Sequence, residues 1–289
     1  MGGLGNQLFQ FYAGVYLAKR TDSEVIIDFS KVALSGTVHE SSIDQLVLGN
    51  EYQSHLIKIS FLKSMIWRIH QKLDREIHCL RFFSLKILRI YQSTQIGFDP
   101  LVDKLTPPIE IHGYFQSWRY LEDCRILGIE DPKLGTFSDW YKSLREQIIS
   151  EKAIGVHVRR GDYLSLTDSF GILGDGYYSE ALKLAQAKNP GRNVYVFSDD
   201  IALARSLFPD SNFNFVSEPI DSIAAESMFL MSACSALIIA NSTFSWWGAA
   251  LGNKEKDVYA PQKWFRNLED PNDLIPANWI RVKSSWKDD

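Results

Sequence analysis

The chain has 289 residues, 45% hydrophobic and 13% aromatic, which is enough apolar material for two packed cores and excludes a disordered or fibrous polypeptide. Its 31 basic and 35 acidic residues leave a net charge of −4, which argues against a broad nucleic-acid-binding surface, so any basic site is local. Three scattered cysteines without a CxxC pair, and six histidines without HxxxH spacing, point to reduced thiols and no bound metal.

In chain order, Gly2-Gly3-Leu4-Gly5-Asn6-Gln7 leads into an apolar helix through about residue 20, and residues 24–29 (EVIIDF) predict a strand. The opening MGGLGNQLFQ has neither the basic start nor the apolar core of a secretory signal, which predicts a cytoplasmic protein. Gly3-x-Gly5 before a helix, with Asp28 near the end of the next strand, imitates the dinucleotide fingerprint, but the third glycine falls on Leu8 and only Met1 precedes the turn. Two readings stay open: the turn lines a polar cleft with its amides, Asn6 and Gln7, or it lets helix and sheet pack. Residues 54–94 predict two helices with eight cations against Asp74 and Glu76, a local charge of +6, interleaved with apolar residues such as Phe61, Trp67 and Phe82. That pattern fits a helical insertion with a solvated basic face, or a segment in peripheral contact with an anionic membrane at its inner face. A domain boundary is expected near 135–152, giving units 1–148 and 149–289.

The second half has a rhythm. Strands are predicted at 153–158 (AIGVHV), 193–198 (NVYVFS), 213–216, 236–240 and 257–260, alternating with helices at 177–188, just after Asp199-Asp200, at 221–234 and from Thr243. Short apolar runs between helical patterns mean βαβ units and a parallel sheet, whose ligands sit at the carboxyl ends of the strands. Residues 227–253 carry no charge, yet Asn241-Ser242-Thr243 at their middle suits a buried helix–strand–helix better than a membrane span.

The residues that follow those strands carry the chemistry. Arg159-Arg160 after an apolar strand is costly to bury without an anion, and a guanidinium fork suits phosphate oxygens. One arginine is expected to face the cleft and the other a structural carboxylate. Of Asp199 and Asp200, one is expected to accept hydrogen bonds from a base or ribose and the other to cap the next helix. Asn241, Ser242 and Thr243 open a helix whose hydroxyls and amides form an anion site without metal, and Trp246-Trp247 behind them reads as core. With no GxxxxGK[ST], the pattern suggests a diphosphate nucleotide held without a P-loop.

GGLGNQLFQFYAG at the start, GYFQSWRYLED at 113–123, GVHVRRGDY at 155–163, VFSDD at 196–200 and LMSACSALIIANSTFSWWGAAL at 230–251 together resemble glycosyltransferase family 11, the α1,2-fucosyltransferases, in a bacterial form without the animal anchor and stem. The resemblance implies an α/β fold of GT-B type, with two facing Rossmann-like domains. It also implies transfer of L-fucose from GDP-fucose to the 2-hydroxyl of a β-galactoside with inversion, in surface-glycan synthesis, without an obligatory metal or other cofactor. It assigns Arg159 to the β-phosphate of the leaving GDP, with His157 and Arg160 beside it, and Asp199 and Asp200 to guanine or ribose. Asn241, Ser242 and Thr243 fall at the pyrophosphate, Gly3, Gly5 and Asn6 in the N-terminal cleft wall on the donor side, and Gln7 and Gln116 on the acceptor side. Asp162 is the candidate for the base an inverting transfer needs. Two departures stand out: the family's short strand before the glycine turn has no counterpart here, and Glu226-Ser227 places the acidic residue one position early. A silent GDP- or glycan-binding relative and a transferase for another GDP-sugar are the alternatives.

Overall fold

A computed structural model describes residues 2–28, 43–49, 52–55, 89–160, 170–209 and 212–287. The chain divides into two units, one of residues 1–44 and 48–132, the other of 45–47 and 133–289.

In the first unit, helix α1 (Leu4–Thr21) starts directly at the glycine turn, with Gly3 as an N-cap that contributes no side-chain bond. Eleven of its eighteen residues are buried, including Leu8, Phe9, Tyr12 and Val15, so it is a core helix rather than a surface one. It ends at Asp22, whose left-handed backbone returns its N–H to Ala18 O, with Lys19 and Arg20 in the last turn where cations suit the dipole. α1 packs on α2 (Trp118–Ile126), whose N-cap Ser117 accepts the Arg119 N–H. Strands β1 (Val25–Asp28) and β3 (Tyr52–His55) pair in parallel, as do β4 (Ile90–Gln92) and β5 (Glu110–His112). β3 and β4 occupy the two edges of the stretch expected to be helical from 54 to 94. The remainder of that stretch, 56–88, lies outside the described residues.

The second unit begins with β2 (Leu46–Val47), which pairs antiparallel with β6 (Lys133–Leu134). Helix α3 (Asp139–Ser150) follows, with Ser138 as its N-cap. The division therefore falls at 132/133 rather than 148/149, because α3 packs on α6 (Ala224–Ala233) of this unit. Six parallel strands form its sheet: β7 (Ile154–Val158), β8 (Val194–Ser198), β9 (Asn214–Phe215), β10 (Ala236–Ile238), β11 (Asp257–Pro261) and β12 (Ile280–Val282). Their spatial order is β9-β8-β7-β10-β11-β12, the Rossmann order, in which the chain runs outward from β7 on one side and restarts beside it at β10. Helices α4 (Asp175–Lys188), α5 (Ile201–Leu207) and α7 (Thr243–Ala250) complete the crossovers.

Burial on both faces explains the continuous apolar strands. Ile154, Val156 and Val158 join Tyr177, Ala181 and Ala185 of α4 in one cluster. On the opposite face Gly155 lies so close to Leu237 and Cys234 that a β-carbon would come within 2.7 and 2.8 Å of them. The Tyr177 hydroxyl donates to Ile239 O at 2.6 Å, tying α4 to the end of β10. Trp246 and Trp247 are fully buried and the Trp246 indole donates to Leu274 O, so the tryptophan pair is core. The α/β class is as expected. Among the described residues, no helix is long and apolar enough to cross a membrane.

Candidate functional site

In an open parallel sheet of this order, the crevice lies outside the carboxyl ends of the two strands where the direction of winding reverses. Here those strands are β7 and β10. β7 delivers His157, Arg159 and Arg160 to that edge; β10 delivers Asn241, Ser242 and Thr243, and β8 beside β7 delivers Asp199 and Asp200.

The strand register puts Val158 opposite Ser198, so Arg159 and Asp199 leave their strands level with each other. Asp199 takes hold of both arginines. Its Oδ1 accepts the Arg160 backbone N–H at 2.9 Å, and its Oδ2 lies 3.3 Å from Arg159 Nε. Both side chains of that ion pair are about three-quarters buried, where attraction is screened less than at the surface. The structural carboxylate expected for one of the two arginines is thus Asp199, and it serves Arg159 through its side chain and Arg160 through its backbone. Asp200 takes the other role foreseen for the pair: as N-cap of α5 it accepts the Leu203 N–H at 2.9 Å. Beneath them Tyr178 of α4 is buried, and that burial pushes its phenol well above the usual range against the pull of Arg160.

Two buried polar atoms here lack a hydrogen-bond partner, His157 Nδ1 and Arg160 Nη1. Burial first, then the neighbouring Arg159 charge, holds the His157 imidazole neutral far below its ordinary range, with Asp199 opposing. Its ring sits 6.0 Å from that of Phe244 in the first turn of α7. Ser242 is the α7 N-cap, accepting the Phe244 N–H at 3.3 Å. Thr243 is partly exposed at the same helix start. Asn241 is turned inward, its Nδ2 donating to the carbonyls of Phe170, Gly171 and Trp264. Its amide nitrogen thereby holds the segment where the chain is again described after 161–169. Asp162 falls in 161–169, outside the described residues.

In the first unit, Asn6 and Gln116 come together, Gln116 Nε2 donating to Asn6 Oδ1 at 2.9 Å, while Gln116 Oε1 is buried without a hydrogen-bond partner. Gln7 braces the turn, donating through Nε2 to Gly2 O and accepting the Ile43 N–H through Oε1. Gly5 lies buried in the first turn of α1. Glu226, the displaced acid, is buried in α6 and accepts both the Ser138 N–H and the Ser138 hydroxyl, strengthening the N-terminus of α3. Sequence reasoning missed Tyr178, although a Tyr-Tyr pair in the first helix after an arginine-bearing strand is the signal that would have found it.

Winding order defines the class, an α/β protein with a doubly wound parallel sheet whose reversal point carries a pair of arginines. The particular family follows from comparison: the pattern of "Glycosyl transferase family 11" matches residues 103–283, and the chain belongs to that family. It is a glycosyltransferase. It is similar along 98% of its length to an alpha-1,2-colitosyltransferase of Escherichia coli, 28% identical and matched over 97% of that protein. An O-antigen biosynthesis glycosyltransferase, WbnK, of Escherichia coli is 25% identical over 97% of this chain and 98% of its own. A galactoside 2-alpha-L-fucosyltransferase of Bos taurus is 28% identical over 46% of this chain and 38% of its own.

Proposed function

We propose that this glycosyltransferase moves L-fucose from GDP-fucose to the 2-hydroxyl of a β-galactoside with inversion, in the assembly of a surface glycan. One observation carries the reading: Arg159, held by Asp199 at the reversal point of a Rossmann-ordered sheet, beside the start of α7. As the glycosidic bond to the diphosphate lengthens, negative charge collects on the leaving phosphate. A guanidinium already fixed in place stabilises that charge without reorganising during the step. His157, kept neutral, adds no repulsion to Arg159 and offers a ring nitrogen to a phosphate or ribose oxygen. On the acceptor side, Gln116 supplies an amide to sugar hydroxyls, and Asp162 takes the proton of the attacking hydroxyl from within about 3 Å.

The test is release of GDP from GDP-fucose in the presence of lactose. Wild-type protein is expected to turn over, Arg159→Ala to lose nearly all transfer, and Asp162→Asn to fall steeply; wild-type turnover by Asp162→Asn dismisses it as the base. GDP binding without turnover marks a silent relative. The end-to-end similarity to the colitosyltransferase favours a second reading, GDP-colitose as donor. Colitose lacks the 3-hydroxyl of L-fucose, so the two donors assayed side by side separate the readings.

A further inference from the structure

Two adjacent arginines at the end of a buried strand repel each other and are held by more than the ligand they await. Arg159 is gripped through Asp199: Oδ2 lies against Nε, while the other carboxylate oxygen takes the next backbone N–H, that of Arg160. A carboxylate contact at Nε fixes the plane and direction of the guanidinium, and it offsets one of two clustered positive charges before any diphosphate arrives. The level register of β7 and β8 leaves Asp199 one residue past Ser198, beside the residue one past Val158, so a shift along either strand would break both contacts.

Resting on the reading that the ligand is a GDP-sugar, we propose that Asp199 is a positioning residue that aims Arg159 at the leaving diphosphate, and not a reader of the guanine base. It acts through Arg159: Asp199 sets the angle, and Arg159 meets the charge. Misplacement of such a group by about 1 Å costs on the order of 100-fold in rate.

Asp199→Asn is the informative variant, since it keeps an oxygen for the Arg160 N–H and removes the charge facing Nε. Transfer from the GDP-sugar is expected to lose about 10- to 100-fold in kcat. The preference for GDP over IDP, which lacks the guanine 2-amino group, is expected to match wild type. In the Arg159→Ala background, Asp199→Asn is expected to leave GDP affinity unchanged. Loss of the GDP-over-IDP preference, an undiminished kcat, or additive effects of the two substitutions on GDP affinity overturns the proposal. The ligand-free protein supplies a measurement independent of the donor assignment, the solvent-exchange protection of the Arg159 Nε–H in NMR spectra. Protection in wild type that disappears in Asp199→Asn supports the clamp, and absence of protection in wild type overturns it. Wild-type protein that shows the clamp but binds no GDP refutes the donor reading instead.

Discussion

Lys256 gives the sharpest test of how the second unit is held. Only 7% exposed, its ammonium donates to Ser232 O at 2.9 Å, Gly248 O at 3.1 Å and Leu251 O at 2.7 Å, carbonyls at the closing turns of α6 and α7. Neither helix has a basic residue in its own last turn, so this one side chain supplies the charge and the donors that both ends lack. Burial pulls its pKa down from 10.5 to about 8, with Cys234 opposing. The ammonium is therefore kept at pH 7 at a cost of about 3 kcal/mol. Lys256→Met relieves that cost and leaves three buried carbonyls unsatisfied at roughly 2 kcal/mol each, a net loss of about 3 kcal/mol. Guanidinium unfolding followed by tryptophan fluorescence measures it. Between pH 8 and 10.5 the folded lysine is neutral while the unfolded one still binds its proton, so wild type gains stability there and Met does not. The gap between the two proteins should widen across that window. A loss below about 1 kcal/mol at pH 7, or a gap that narrows above pH 8, refutes the reasoning.

Three further outcomes are expected. Because folding holds the His157 pKa below its unfolded value, the unfolded state takes up this proton first as pH falls. Stability should then decline below about pH 6.5 by roughly 1.4 kcal/mol per pH unit, and His157→Gln should remove that part of the slope in unfolding titrations. Gly155→Ala forces a methyl against Leu237 and Cys234 and should cost about 1–3 kcal/mol in denaturant unfolding. Of the two readings of residues 54–94, membrane contact predicts cosedimentation with anionic vesicles at low salt and release at high salt, whereas a solvated basic face predicts none at low salt.

The strands of the second unit were legible because β7, β8, β10 and β11 are mostly apolar runs between helical patterns, a consequence of burial on both faces. β12, with Arg281 at the middle of three residues, lacks that run, and β4 and β5 have the same handicap in the first unit. Helices α2 and α3 leave little apolar spacing to read, since one buries only Tyr120, Leu121 and Cys124 and the other only Tyr141 and Ile148. The site was legible as a set of residue types after strands. How they divide the work was not, because Asp199 and Asp200 are chemically identical, and only the β7–β8 register decides which meets arginine and which caps a helix. Lys256 was invisible for a related reason: Lys254 stands two residues away in the same short charged run, and only the convergence of two helix ends separates them.

The small β2–β6 ladder bears on how such a chain can be recombined. Leu46 pairs with Leu134 and Val47 with Lys133, so the unit that carries the arginine pair borrows a piece of chain from far upstream. A hybrid of two relatives joined once, at 132/133, gives that unit a β2 from one parent and a β6 from the other. Exchange of donor specificity between relatives keeps a matched ladder only when residues 45–47 travel with 133–289.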